Sequence, residues 1–215
     1  MKKLTIELQK AWDAVGGLSQ PSKMPCYSYS IPASKCNIGG KLRNVVNSVC
    51  NKCYAFKGFY VYPNAKNALQ KRFESLTDPN WVKNMTLLIG SLESSGYFRF
   101  FDAGDIQNVT HLDNICQIAK NLPHIKFWMP TKEFAIIGTY IKSGKKIPSN
   151  LNVRLSAYMI DGQLPLKIAK ELKVTVSGVT ATENFTCPAS KQNNMCLTCR
   201  LCWDKKVKSV VYSKH

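Results

Sequence analysis

A chain of 215 residues suits one domain and can bury a core without disulfide staples, so its nine cysteines need a chemical explanation. Thirty Lys and Arg against 13 Asp and Glu give a formal charge of +17, which points to a polyanionic partner such as DNA or RNA. Charged residues break up Met1 to Gly17 and no run of 18 apolar residues occurs, which excludes a secreted or membrane-spanning reading and leaves a cytoplasmic one.

Leu4 to Val15 carry apolar side chains at helical spacing and stop at Gly16-Gly17, the pattern of an N-terminal helix with a glycine end. From Pro21 to Tyr62 four cysteines stand among Gly and Pro residues without a periodic segment, and this stretch reads as loop held by something other than a core. Helical patterns follow from Pro63 through Phe73 and from Asp78 through Leu92.

A strand and helix rhythm then sets in. Strands are predicted over Tyr97–Phe101, Ile125–Met129, Asn152–Ser156 and Val174–Val179, with helices over His111–Leu122, Lys132–Lys142 and Leu164–Leu172 between them. A last apolar run, Val207 to Tyr212, returns to the sheet edge. Such alternation implies right-handed βαβ units and a parallel sheet, so the fold class is α/β, either a partial (β/α) barrel or an open parallel sheet. The strands are too few for an eight-fold barrel unless the cysteine-rich N-terminal region hides some. The expected organisation is one domain over 1–215, with cysteine-rich metal-binding segments 24–60 and 185–204 packed at the carboxyl face of the strands.

In parallel α/β folds that face carries the chemistry, because the loops converge there. The first strand ends in Asp102-Ala103-Gly104-Asp105, the second in Thr131-Lys132 and the third in Ser156-Ala157-Tyr158. Asp102, Asp105 and Lys132 are therefore the candidate acid, base or nucleophile, and Tyr54, Arg99, Thr131, Arg154 and Ser156 the candidate substrate contacts. The plainer alternatives are that Asp105 caps a loop beside Gly104, and that Thr131 is the N-cap of the next helix with Glu133 in its first turn.

Cys187, Cys196, Cys199 and Cys202 fall within sixteen residues, and overlapping CxxC pairs aim sulfurs at one ion, as in a tetrahedral zinc site or an iron–sulfur cluster. The second group is Cys50-x2-Cys53 with Cys36 and Cys26 before it. Two four-cysteine sites fit the count. So does a three-cysteine site of Cys36, Cys50 and Cys53, which leaves one iron of a four-iron cluster open and Cys26 outside. Cys116 shares a helix face with Leu112, Ile115 and Ala119 and reads as core. His111, His124 and His215 make no hydrolase site.

Ser30-Ile31-Pro32-Ala33, Cys50-Asn51-Lys52-Cys53-Tyr54-Ala55, Gly104-Asp105, Thr131-Lys132 and Cys187-Pro188-Ala189 with Cys196 to Trp203 resemble the phage gene product 88 family over residues 23 to 215. More distantly the order of motifs is similar to radical-SAM-like barrels, which implies an iron–sulfur cluster and S-adenosylmethionine. The sequence departs from that pattern in the thirteen residues between Cys36 and Cys50, where those enzymes have CxxxCxxC. A weaker resemblance to queuine-type transglycosylases implies base exchange by Asp102 and Asp105 with zinc only structural; their metal knuckle includes a histidine that this one lacks.

Three readings follow. The leading one is an iron–sulfur, radical-SAM-like enzyme that modifies nucleic acid or nucleotides. The others are a zinc-containing base-exchange enzyme and a non-enzymatic, zinc-stapled protein that binds nucleic acid or a host factor. The oligomeric state is left open.

Overall fold

Alternation along the strands decides the layers. In β2 (Tyr97–Phe100) the rings of Phe98 and Phe100 are fully buried against helices, while Tyr97 and Arg99 face the opposite side of the sheet. The computed structural model describes residues 4–214; residues 1–3 and His215 lie outside them.

Helix α1 (Ile6–Val15) begins at Thr5, whose hydroxyl accepts from Leu8 N, and ends at Gly16 in a left-handed turn with φ 73°. The cysteine-rich stretch hides a strand, β1 (Ser28–Tyr29), followed by the short α2 (Asn37–Leu42) and 3-10 turns at Tyr54–Phe56 and Gly58–Val61. Next come α3 (Pro63–Ser75) and α4 (Trp81–Leu92). The latter starts three residues after Asp78, because that carboxylate accepts from Asn80 N and closes a turn instead.

After β2 the order is α5 (Val109–Asn121), β3 (Lys126–Thr131), α6 (Phe134–Lys142), β4 (Leu151–Ile160), α7 (Leu166–Glu171), β5 (Thr175–Thr180) and β6 (Ser209–Ser213). The six strands are all parallel and pair in chain order. Right-handed crossovers of this kind wind in one direction and put the helices on one face. Met85, Leu112, Ile115, Ile137 and Ala169 accordingly share a core with Phe98, Phe127, Val153 and Val176. Cys116 and its helix neighbours Leu112, Ile115 and Ala119 are buried in it, as the periodicity required.

The sheet is open. Strands β1 and β6 are its edges, so no closed barrel forms, and the face away from the main helical core is filled by a second cluster. Trp128 and Trp203 meet there edge to face with centroids 5.2 Å apart, alongside Met24, Cys26, Cys202 and Val210. Trp203 donates from Nε1 to Phe98 O at 2.9 Å, and Asn152 donates to Cys202 O at 2.8 Å. The C-terminal cysteine segment thus lies across the inner face at the level of the second residues of β2 and β4, and the residues expected at the carboxyl ends divide between the two places. Among the described residues no helix is long and apolar enough to cross a membrane.

Candidate active site at the carboxyl ends of the strands

Asp102 lies two residues past β2 and is held by side chains from two earlier segments of the chain, 28–30 and 54–60. Its Oδ1 accepts from Ser28 Oγ at 3.2 Å and from Ser30 Oγ, and its Oδ2 accepts from Tyr60 Oη at 2.7 Å. Tyr54 donates its hydroxyl to the Asp102 carbonyl. Burial alone would raise the Asp102 pKa, but the Arg99 guanidinium and the Ser30 and Tyr60 hydroxyls outweigh it and hold the carboxyl below its ordinary range. Phe101, just before it, adopts a left-handed backbone with φ 60°, a costly conformation for an aromatic residue that the packing around it must sustain.

Asp105 is 6% exposed and accepts from Thr131 Oγ1 at 2.6 Å, Ile106 N at 2.8 Å and Lys132 N at 2.8 Å. It therefore closes a loop and also ties β2 to β3. Burial outweighs these donors and, with the Glu133 carboxylate nearby, pushes Asp105 up to about 6. Thr131 is not the helix N-cap: its hydroxyl is spent on Asp105 while its oxygen accepts from Glu133 N, so α6 starts two residues later than the sequence pattern indicates. Glu133, itself buried, accepts from Ile38 N at 2.8 Å and so anchors the start of α2 just after Cys36.

That anchor brings three thiols to the same end of the sheet. A Cβ placed on Gly39 would stand 3.5 Å from Cys50 Sγ and 3.6 Å from Cys36 Sγ, and Cys53 lies within electrostatic reach of both. Burial, then the charge of Asp105 and the neighbouring thiols, keeps Cys36 well above its ordinary pKa; Lys132 acts in the opposite sense on Cys36 and Cys50. Tyr158 donates to Lys132 O at 3.1 Å and stacks on Phe134, closing the β4 side. Ser156 is engaged with Ser177 at 3.2 Å.

On the inner face Cys187, Cys196, Cys199 and Cys202 line one cavity with Pro188, Ala189, Leu201 and Trp203. Cys26 belongs to this group: it is 3% exposed and packs in the same buried cluster as Cys202, against which Cys187 and Cys196 also pack, whereas Cys36 sits with Cys50 and Cys53. The fourfold grouping of Cys26 with Cys36, Cys50 and Cys53 is thereby corrected. Among the described residues no three His, Cys, Asp or Glu side chains already stand as a ligand set, so the thiols share these places without converging on one point.

The two arginines named from sequence both lie on this inner face. Arg154 is fully buried and donates to the carbonyls of Val176 at 2.7 Å and of Leu201 and Val207 at 3.2 Å, which commits it to holding the C-terminal segment. Arg99 lies 4.3 Å over the Trp128 ring, donates to Phe101 O at 3.1 Å, and leaves its Nε without a partner. Tyr60, Glu133, Ser28 and Ser30 escaped the sequence reading as site residues; only the Ser30 motif carried a signal.

His111 supports Phe101 from below, with ring centroids 5.7 Å apart, and accepts from Gln107 N on Nδ1. Burial pushes it down to about 3. Its folded pKa lies below the unfolded value of about 6.5, so the stability it contributes is present above that pH and drains away on acidification. Asp105 has the opposite sign: its contribution is complete below about pH 4 and is lost as pH rises through about 6. In urea titrations, His111→Phe is expected to remove on the order of 3 kcal/mol of the loss between about pH 6.5 and pH 4. An unchanged slope in the variant would place the acid lability elsewhere.

Fold and site together define an α/β protein on an open, all-parallel six-stranded sheet, with carboxylates and thiols gathered at one end. The family model described as gene product 88 matches residues 2–205, and the chain belongs to that phage family. The match takes in α1, which the motif resemblance left out, and stops short of β6. No curated protein and no solved structure matches the chain.

Proposed function

We propose that the chain is a metal-dependent enzyme acting on nucleic acid, with an iron–sulfur cluster held by Cys36, Cys50 and Cys53 at the carboxyl ends of the strands. The observation that carries this reading is the gathering of Cys36 and Cys50 around Gly39, with Cys53, Asp105 and Lys132 within electrostatic reach. The donor types suit such a cluster: it takes four ligands, and three thiolates leave one iron free for an outside group. When bound, such a cluster supplies one-electron chemistry to a cosubstrate at the free iron, of which S-adenosylmethionine is one.

The chain's own groups serve the substrate. Asp105, titrating near 6, can hold or release a proton at neutral pH, while Asp102 is kept ionised and fixed by its three hydroxyl donors. Lys132 offers a cation within electrostatic reach of Cys36 and Cys50. The charge of +17 supports a polyanionic substrate. The C-terminal thiols are read as a separate, structural metal site, for which four thiolates suit zinc or a second cluster.

Protein purified anaerobically is expected to be coloured and to contain iron and sulfide. Cys36→Ser, Cys50→Ser and Cys53→Ser should each lose most of that iron, while Cys116→Ser keeps it. Colourless protein that takes up zinc alone after anaerobic reconstitution would overturn the reading.

A further inference from the structure

We infer that residues 54–62 form a stacking platform for single-stranded nucleic acid, which names the substrate form and contact surface for the activity proposed above and rests on its nucleic-acid component. Aromatic rings elsewhere in the chain are mostly buried, yet here Phe59 is 81% exposed, Tyr62 56% and Tyr54 43%. No residue of the two 3-10 turns is buried, so their rings are not explained by core packing. Phe59 and Tyr62 stand edge to face with centroids 5.3 Å apart, and the Arg43 guanidinium lies 3.7 Å over Phe56.

The patch is also fixed in place. Tyr60 and Tyr54 donate their hydroxyls to the carboxylate and the carbonyl of Asp102, so the turns that carry Phe59 are tied directly to the strand-end site. Rings held in advance bind a base without first being ordered, which lowers the entropy cost of stacking.

Charge selects the partner. From Ala14 to Phe73 the sequence contains no Asp or Glu but nine Lys and Arg, among them the exposed Lys41, Arg43, Lys52, Lys57 and Lys66 around the aromatic turns. Interleaved rings and cations without acids suit unstacked bases on a phosphate backbone. A duplex keeps its base faces covered and offers these rings nothing to stack on.

The test uses metal-loaded protein and a fluorescently labelled oligothymidylate, read by anisotropy. Wild type should bind the single strand more tightly than a duplex of equal length, with affinity falling as salt rises. Phe59→Ala and Tyr62→Ala should each weaken single-strand binding by about 5- to 150-fold, the worth of one stacked base. Lys57→Gln should flatten the salt dependence. Because Phe59 and Tyr62 project into solvent, circular dichroism of these variants should match wild type.

Single-strand affinity unchanged in the Phe59→Ala, Tyr62→Ala double variant would overturn the platform while leaving nucleic-acid binding itself standing. Binding to neither strand nor duplex would overturn both the platform and the nucleic-acid part of the proposed function, though not the iron centre. Tighter binding to phosphatidylglycerol vesicles than to the oligonucleotide would also overturn it, by assigning the patch to a membrane surface.

Discussion

Gly104→Ala is expected to cost the protein about 2–5 kcal/mol and to dismantle the loop that carries both aspartates. Gly104 sits at φ 80°, where an L side chain is strained by about 1–2 kcal/mol. Its position is also crowded: an added Cβ would lie 2.3 Å from Ile31 Cγ1 and 2.7 Å from Ile31 O. The second contact is to backbone, and Ile31 N donates to Ala103 O at 3.2 Å, so the neighbour cannot turn aside without breaking the pairing of the two segments. Gly96 separates the two causes, because it has φ 77° but nothing within 4 Å of an added Cβ. Gly96→Ala should therefore cost only the conformational part. Equal shifts in urea midpoint for the two variants would show that the approach to Ile31 contributes nothing.

That contact also explains why the Ser30-Ile31-Pro32-Ala33 and Gly104-Asp105 motifs occur together. Both line one junction: Ser30 binds Asp102, and Ile31 packs on Gly104. From sequence they read as separate signatures, because nothing in their spacing reveals that β1 lies beside β2. A two-residue strand has too few positions to show alternation, and Ser28-Tyr29 is flanked by Pro25 and Pro32. The longer strands were legible for the converse reason. In β2, Phe98 and Phe100 bury one face while Tyr97 and Arg99 face the other, which keeps the period of two visible; in β3 the apolar run Phe127-Trp128-Met129 is buried on both faces and reads as strand by its residue types.

Helix starts were legible only within a few residues, and Thr131 shows why. A threonine followed by Glu133 looks like a capping sequence, but the Asp105 carboxylate 26 positions earlier claims its hydroxyl. The cysteines were legible as clusters, though not in their division. Cys26 is closer in sequence to Cys36 than Cys50 is, yet β1 runs between them. Each strand residue advances about 3.3 Å, so the chain leaves Cys26 on the inner face and delivers Cys36 past the carboxyl end. Arg99 and Arg154 were visible as charges in strands; that Arg154 is consumed by three carbonyls needed the fold, because its acceptors lie in segments 22 to 53 residues away.

On the reading that the C-terminal thiols hold an ion, as proposed above, removing it is expected to release residues 185–204 from the inner face while the helical core persists. Before its end at Cys202-Trp203, which packs in the inner-face cluster, this segment holds one 3-10 turn at Pro188–Lys191 and left-handed backbones at Asn193, Asn194 and Leu197. Met195 and Leu197 are 43% and 53% exposed, so its apolar side chains are not all packed away. Four thiolates on one ion supply about 10 kcal/mol or more of folding energy in small zinc domains, which exceeds what the Asn152 and Arg154 hydrogen bonds can replace. Stripping the metal under reducing conditions, or Cys199→Ser, should therefore abolish hydrogen-exchange protection in the segment and shift Trp203 emission to the red as its contacts with Tyr97 and Trp128 open. Core amides of α5 should remain protected, because that helix belongs to the layer on the other side of the sheet. Unchanged Trp203 emission and exchange in the stripped protein would mean that packing of Trp203 alone orders the segment, and that its four thiols hold no ion.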